Sequence, residues 1–183
     1  MEIIETSIQD LKIIEPKVYN DDRGYFYESF SEDFITKNFP KTNFVQENES
    51  FSKYGVLRGL HFQLAPFSQA KLVRVIKGKV LDIALDLRKE SKTYGHYEKV
   101  ILSGENKKQF FIPREFAHGF VVLSDYAIFS YKVDNVYSPN FESGIIYNDK
   151  SLNIDWEVSF DKLVISNKDL NLKTFEDFTN SIK

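Results

Sequence analysis

The residues best equipped for chemistry fall into a few short runs. Gly55-Val56-Leu57-Arg58-Gly59-Leu60-His61-Phe62-Gln63, followed by Gln69-Ala70-Lys71, brings an imidazole and two cations together on what read as adjacent strands. An imidazole changes charge near neutral pH and suits proton transfer, and a cation in a water-poor cavity holds developing negative charge. Ile112-Pro113-Arg114-Glu115-Phe116-Ala117-His118-Gly119-Phe120 presents a second histidine where a turn enters a strand, and Phe129-Ser130-Tyr131-Lys132 adds a phenol. Arg23-Gly24-Tyr25-Phe26-Tyr27-Glu28 offers an arginine for phosphate and rings for stacking. Each run has a plain alternative: a hydrogen-bonded core histidine at His61, a tight turn at His118, a packed tyrosine at Tyr131, a solvated arginine on an aromatic strand at Arg23.

Metal chemistry is disfavoured by the ligand count. The residue two after His61 is Gln63, and neither His96 nor His118 has a close histidine partner. With no cysteine in the chain there is no disulfide, thiol nucleophile, Cys-ligated zinc or iron–sulfur cluster. Neither metal nor cofactor is expected.

These side chains need rigid elements to position them, and the sequence between them reads as strands at 56–63, 71–76, 80–87, 97–102, 109–112, 118–123 and 126–133. In the clearest of these, Leu81, Ile83, Leu85 and Leu87 alternate with Asp82, Ala84 and Asp86. Lys77-Gly78-Lys79 is a hairpin connection and Ser124-Asp125 a turn. Strict alternation places His61 with Leu57, Gly59 and Gln63, so Arg58 shares its face only if a bulge interrupts the strand near Gly59. Helix is sparse: Ser31 caps a short one, and 173–178 forms another. Short strands at hairpin spacing, without crossover helices, predict an all-β jelly-roll sandwich or barrel with short peripheral helices. A long edge strand over 11–19 would need a cover, and a second copy of the chain would supply it, giving a homodimer.

Composition agrees. The 183 residues, 42% of them hydrophobic, are expected to form one domain over 1–183, and 17 Phe and 10 Tyr against eight Gly and five Pro favour strands over disorder. With 24 Lys plus Arg against 27 Asp plus Glu, interspersed, there is no basic stripe for nucleic acid. The acidic N-terminus and the absence of a long apolar run predict neither signal peptide nor membrane span, hence a soluble cytoplasmic protein.

Taken in order, the motifs resemble those of the dTDP-4-dehydrorhamnose 3,5-epimerase family of cupin-fold sugar-nucleotide enzymes. The resemblance rests on Asp22-Arg23-Gly24-Tyr25-Phe26-Tyr27-Glu28-Ser29, Val45-Gln46-Glu47-Asn48, the runs around His61, Lys71 and His118, Tyr131-Lys132 and Asn148-Asp149, and extends to about Phe175. It implies a metal-independent jelly-roll dimer with an exchanged N-terminal strand. It further implies that His61 is the catalytic base, Asp169 in Ser166-Asn167-Lys168-Asp169 its carboxylate partner, Tyr131 the general acid and Lys71 the cation on the enolate oxygen. Arg23, Phe26, Glu28, Gln46, Asn48, Arg58 and Tyr137 match positions that hold the nucleotide and phosphates, and His118 one that lines the sugar pocket. The C-terminal tail, about 166–183, would pack over or near the site.

The implied chemistry accounts for these residue types. Epimerisation beside a 4-keto group needs a base for a weakly acidic C–H, a charge to hold the enolate on O4, and an acid on the opposite face. A buried aspartate fixes the tautomer of the base. Two departures, Glu49 after Asn48 and Tyr147 before Asn148, stand where histidine and tryptophan are common, and both adjoin pocket motifs. The alternatives are a 3-epimerase, an epimerase of a GDP-linked 4-keto sugar or heptose for capsule or lipopolysaccharide, a non-catalytic sugar-nucleotide binder, and a metal-dependent cupin oxygenase.

Overall fold

A computed structural model describes residues 1–181. In chain order its strands are β1 (Glu2–Glu5), β2 (Lys12–Glu15), β3 (Tyr19–Asp21), β4 (Gly24–Phe26), β5 (Gln46–Lys53), β6 (Val56–Gln63), β7 (Lys71–Lys77), β8 (Lys79–Asp86), β9 (Tyr97–Ser103), β10 (Gln109–Ile112), β11 (Phe116–Val122), β12 (Tyr126–Val133), β13 (Glu142–Gly144) and β14 (Val164–Ile165). The helices are α1 (Glu32–Asn38), α2 (Asn167–Leu170) and α3 (Phe175–Ser181). Ser31 caps α1 as expected, its hydroxyl accepting from the Phe34 N–H. The C-terminal helix begins two residues later than its predicted start and runs to Ser181; Ile182 and Lys183 of the predicted tail lie outside the described residues.

Two sheets carry the fold, one in the order β1-β2-β10-β7-β12-β5 and the other β13-β6-β11-β8-β9, with β14 added parallel to β6; β3 and β4 form a separate hairpin. The core between the sheets includes Val73, Val75, Phe110, Phe129, Phe120 and Ala84. The result is the all-β jelly-roll sandwich, with short peripheral helices, that the strand spacing predicts.

The alternation in β8 is real, but the leucine face is not the one between the sheets. Leu81, Ile83 and Leu85 point outward with Leu57, Leu60 and Val121, and are sealed by Ile145, Leu152, Trp156 and Phe178 from the C-terminal third. Val80 and Ala84 face inward, and the same parity turns Asp82 inward between them. Both faces of this sheet are therefore buried. The other sheet is covered on its outer side by α1 and its flanks, which pack Ile35, Phe34 and Phe39 on Leu72 and Phe111.

The N-terminal expectation needs correction. In place of one edge strand over 11–19 there are two short strands, β2 and β3, interrupted around Pro16, and β2 is an inner strand between β1 and β10. Proline has no N–H for a ladder, and residues 2–5 supply the missing edge partner. The edge-strand argument for a dimer does not hold. No helix among the described residues is long and apolar enough to cross a membrane.

Asp149 ties the outer cover down. Its carboxylate accepts from the Ser151 N–H at 2.8 Å, the Ser151 hydroxyl at 2.6 Å, the Leu152 N–H at 3.1 Å and the Phe175 N–H at 2.7 Å. Asp149→Ala should lower the unfolding free energy by about 3 kcal/mol, because buried N–H groups lose a charged acceptor. Urea unfolding checks this against Lys150→Ala, an exposed neighbour expected to stay within about 0.5 kcal/mol; equal, small effects would contradict it.

Candidate active site

The site is built at one end of the sandwich on a fault in the β6–β11 pairing. His61 lies opposite His118 and Leu57 opposite Val121, but Phe120 pairs with Arg58, so two residues, Gly59 and Leu60, oppose Gly119 alone. This is a β-bulge, and it reverses the phase of the strand. Arg58 and His61 thereby share the inner face, while Leu57, Leu60 and Phe62 share the outer one. The strict-alternation grouping of His61 with Leu57 is thus corrected, and the bulge on which a shared Arg58–His61 site depends is present. Glycine is required here: Gly59 has φ +131°, and a Cβ on it would lie 2.5 Å from the Gly119 Cα.

His61 Nε2 lies 2.7 Å from Asp169 Oδ1, and the Gly59 N–H donates to Asp169 Oδ2 at 3.4 Å. Asp169 is carried by α2, whose cap, Ser166, accepts from the Asp169 N–H at 3.1 Å. Burial pushes the Asp169 carboxyl up, but the bond to His61, its charge and the Gly59 N–H outweigh that and hold it below the ordinary carboxylate range. An open groove of about 410 Å³ runs past Arg58, His61, Ser166, Lys168 and Asp169.

From the facing sheet come Lys71 and Tyr131. The Lys71 ammonium donates to the His61 carbonyl at 3.3 Å, and burial pulls it down to about 8 against the carboxylates of Asp82 and Glu142. Burial pushes the Tyr131 hydroxyl up, opposed by a hydrogen bond from Asn48 and the charge of Arg58. Asn48 in turn accepts from the Gln46 amide at 2.8 Å, and Arg58 donates to the Ser52 hydroxyl at 3.1 Å. His118 Nε2 lies 3.0 Å from both oxygens of Asp82. A stack of Phe120 on Phe129, with centroids 4.2 Å apart, forms an apolar floor between the two sheets.

The structure therefore gathers His61, Lys71, Arg58, Gln46, Asn48, His118, Tyr131 and Asp169 at one end of the sandwich. Tyr137 stands at the rim, where its hydroxyl donates to Glu142 at 2.7 Å and Glu142 also pairs with Lys168 at 2.6 Å. Arg23, Phe26 and Glu28 are not brought in. Arg23 is 89% exposed on the β3–β4 hairpin and pairs with Asp21, and Phe26 and Glu28 border a separate depression with Met1, Lys17 and Tyr19. Sequence reasoning missed Asp82 and Glu142; an aspartate set among apolar residues of a strand was the one signal for the former. Tyr147 does not line the pocket: it packs in the outer cover, its carbonyl accepting from the Trp156 indole at 2.8 Å. Glu49 is an exposed residue of β5.

The sequence profile of the dTDP-4-dehydrorhamnose 3,5-epimerase family matches residues 5–177. The chain belongs to that family. It is 51% identical over 178 residues to the dTDP-4-dehydrorhamnose 3,5-epimerase of Shigella flexneri, covering 97% of each chain. The crystal structure of the enzyme of that name from Elizabethkingia anophelis superposes with a TM-score of 0.93 at 48% identity over 97% of each chain. A dTDP-6-deoxy-D-glucose-3,5-epimerase of Legionella pneumophila, solved in complex with dTDP-4-keto-L-rhamnose, gives 0.91 at 49% identity over 96% of this epimerase chain and 93% of that one.

The depressed Asp169 carboxyl has a consequence for stability. A group whose pKa is lower folded than unfolded contributes stability that is full above its unfolded value and is lost as pH falls through the folded one. The stability gap between wild type and Asp169→Asn should be widest near neutrality and close as pH falls below the ordinary carboxylate range, through the depressed titration of Asp169. Urea unfolding at a series of pH values measures it, and a gap independent of pH would contradict the assignment.

Proposed function

We propose that the chain epimerises C3 and C5 of a dTDP-linked 4-keto-6-deoxy sugar, converting dTDP-4-dehydro-6-deoxyglucose to dTDP-4-dehydrorhamnose. The observation that carries the reading is the 2.7 Å bond between His61 and Asp169 next to the buried Lys71 ammonium. An ionised carboxylate only accepts, so Asp169 commits Nε2 of the neutral imidazole as a donor and leaves Nδ1 as the base. Nδ1 takes the proton from the carbon beside the ketone. The electron pair moves onto O4, where the Lys71 ammonium holds the enolate at a gain of about 3 kcal/mol in the transition state. Tyr131, kept protonated by burial, delivers its proton to the opposite face. Solvent then reprotonates the phenolate and relieves the imidazolium, so each inverted centre carries one solvent-derived hydrogen. This sequence of steps routes nothing through a metal or cofactor.

Arg58, Gln46, Asn48, His118 and Tyr137 are assigned to the phosphates, nucleotide and sugar pocket. In this reading the protein works as a homodimer with an exchanged N-terminal strand: the exposed Arg23 and Phe26, remote from the site of their own chain, together with Glu28, serve the nucleotide of a second copy. One domain spanning 1–183, with the tail from about 166 at the site, completes the assignment.

The test is mass and NMR analysis of dTDP- and GDP-linked 4-keto-6-deoxy sugars incubated with the protein in D₂O. Two deuterons and inversion at both centres are expected with the dTDP substrate. A single deuteron would make it a 3-epimerase, preference for GDP would move the substrate class, and no exchange would leave only binding. In Tyr131→Phe, inversion should fall by about 100-fold or more while exchange at the His61 face persists; equal loss of both would remove Tyr131 as the acid.

A further inference from the structure

Beneath the reacting groups lies a second histidine–aspartate pair to which the steps above give no task. Asp82 is completely buried, on the inner face of β8, where Val80 and Ala84 on either side belong to the apolar core. A buried carboxylate is a poor source of stability, since two apolar residues of similar shape usually pack as well as a buried ion pair. Its placement calls for another explanation, and its two compensating partners are both site groups. His118 puts Nε2 at 3.0 Å from both carboxylate oxygens, and the Lys71 ammonium is held against loss of its proton chiefly by the charge of Asp82.

The two pairs are related by the sheet itself. His61 and His118 are direct cross-strand partners, and each turns Nε2 to its own aspartate, Asp169 from α2 and Asp82 from β8. Burial pulls the His118 imidazole down, opposed by Asp82 and reinforced by the charges of Lys71 and His61, and pushes the Asp82 carboxyl up, opposed by His118 and Lys71. With Asp82 ionised, a neutral His118 donates Nε2–H to it, which leaves Nδ1 as an acceptor for a sugar hydroxyl. Around Lys71 the charged and titratable groups are Asp82 on β8, Glu142 on β13, His118 on β11 and His61 on β6.

We propose that Asp82 is a positioning residue for the reaction: from below the site it fixes His118 with Nδ1 as acceptor and supplies the counter-charge that keeps the Lys71 ammonium facing O4. The proposal rests on the epimerase reading, but its first test needs no turnover, so the two can fail separately. Competitive acetylation of Lys71 by acetic anhydride, read by mass spectrometry across pH, gives the titration of its amine in the free enzyme. In Asp82→Asn that titration should fall by about one unit. The alkaline limb of kcat/KM should move with it, kcat should drop by about 100-fold and KM should change by less than about threefold.

Asp82→Glu, which keeps the charge, should restore the wild-type limb in part; a purely structural role would lower the melting temperature of all variants and leave the limb in place. Asp82→Ser, smaller and uncharged, carries the same prediction should the asparagine variant fail to fold. In the wild type, the ¹³C shift of the Asp82 carboxyl should report an ionised group at pH 7. A protonated Asp82 there, or a Lys71 titration unchanged in Asp82→Asn or Asp82→Ser, would overturn the proposal.

Discussion

The bulge at Gly59-Leu60 is the constraint on which the rest of the site depends. In a regular strand, side chains three residues apart point to opposite faces, yet Arg58 and His61 both belong inside the sandwich while Leu57 and Leu60 both belong outside it. One extra residue opposite Gly119 meets both demands at once. It is possible because neither strand carries a Cβ at the contact. The same bulge turns the Gly59 N–H towards Asp169, so the fault that points His61 inward also helps to hold the carboxylate that orients it. Site and packing are two faces of one irregularity.

Burial then sets the electrostatics. The inner faces of the two sheets are apolar at one end and carry His61, Lys71, Asp82, His118 and Tyr131 at the other, divided by the stacked rings of Phe120 and Phe129. Such a cluster is tolerable only because its charges and donors answer one another, and every buried side-chain nitrogen and oxygen among the described residues has a partner. The covering segment contributes twice: Leu152, Trp156 and Phe178 seal the leucine face, and α2, from the same C-terminal third, delivers Asp169. Stability of the cover and geometry of the proposed base are thus linked through one stretch of chain.

What could be read without the structure follows from how local each signal is. Strands β6, β10 and β12 were legible to the residue because a short run of strand-forming residues bounded by turn residues marks each of them. His61, Lys71 and Tyr131 stood out because their types are unusual on such strands. Asp169 had no local signal, since 108 residues separate it from His61, and only the family resemblance pointed to it. Strand β5 went unseen because Gln46-Glu47-Asn48-Glu49 is polar on both faces, one facing the site and the other solvent. Asp82 read as a plain polar position because nothing near it shows that a segment 60 and more residues away will bury the opposite face. The edge-strand argument failed for the same reason: β1, the partner of β2, is not recognisable in Glu2-Ile3-Ile4-Glu5 alone.

The proposed chemistry requires that Asp169 commit one nitrogen of His61 so that the other is the base. Long-range ¹H–¹⁵N correlation spectra of the free enzyme, recorded where the His61 imidazole is neutral, show which nitrogen carries the proton. The spectra should show a protonated Nε2, bonded to Asp169, and a bare Nδ1. A protonated Nδ1 with a bare Nε2 would place the base nitrogen against a carboxylate and rule out this role for Asp169.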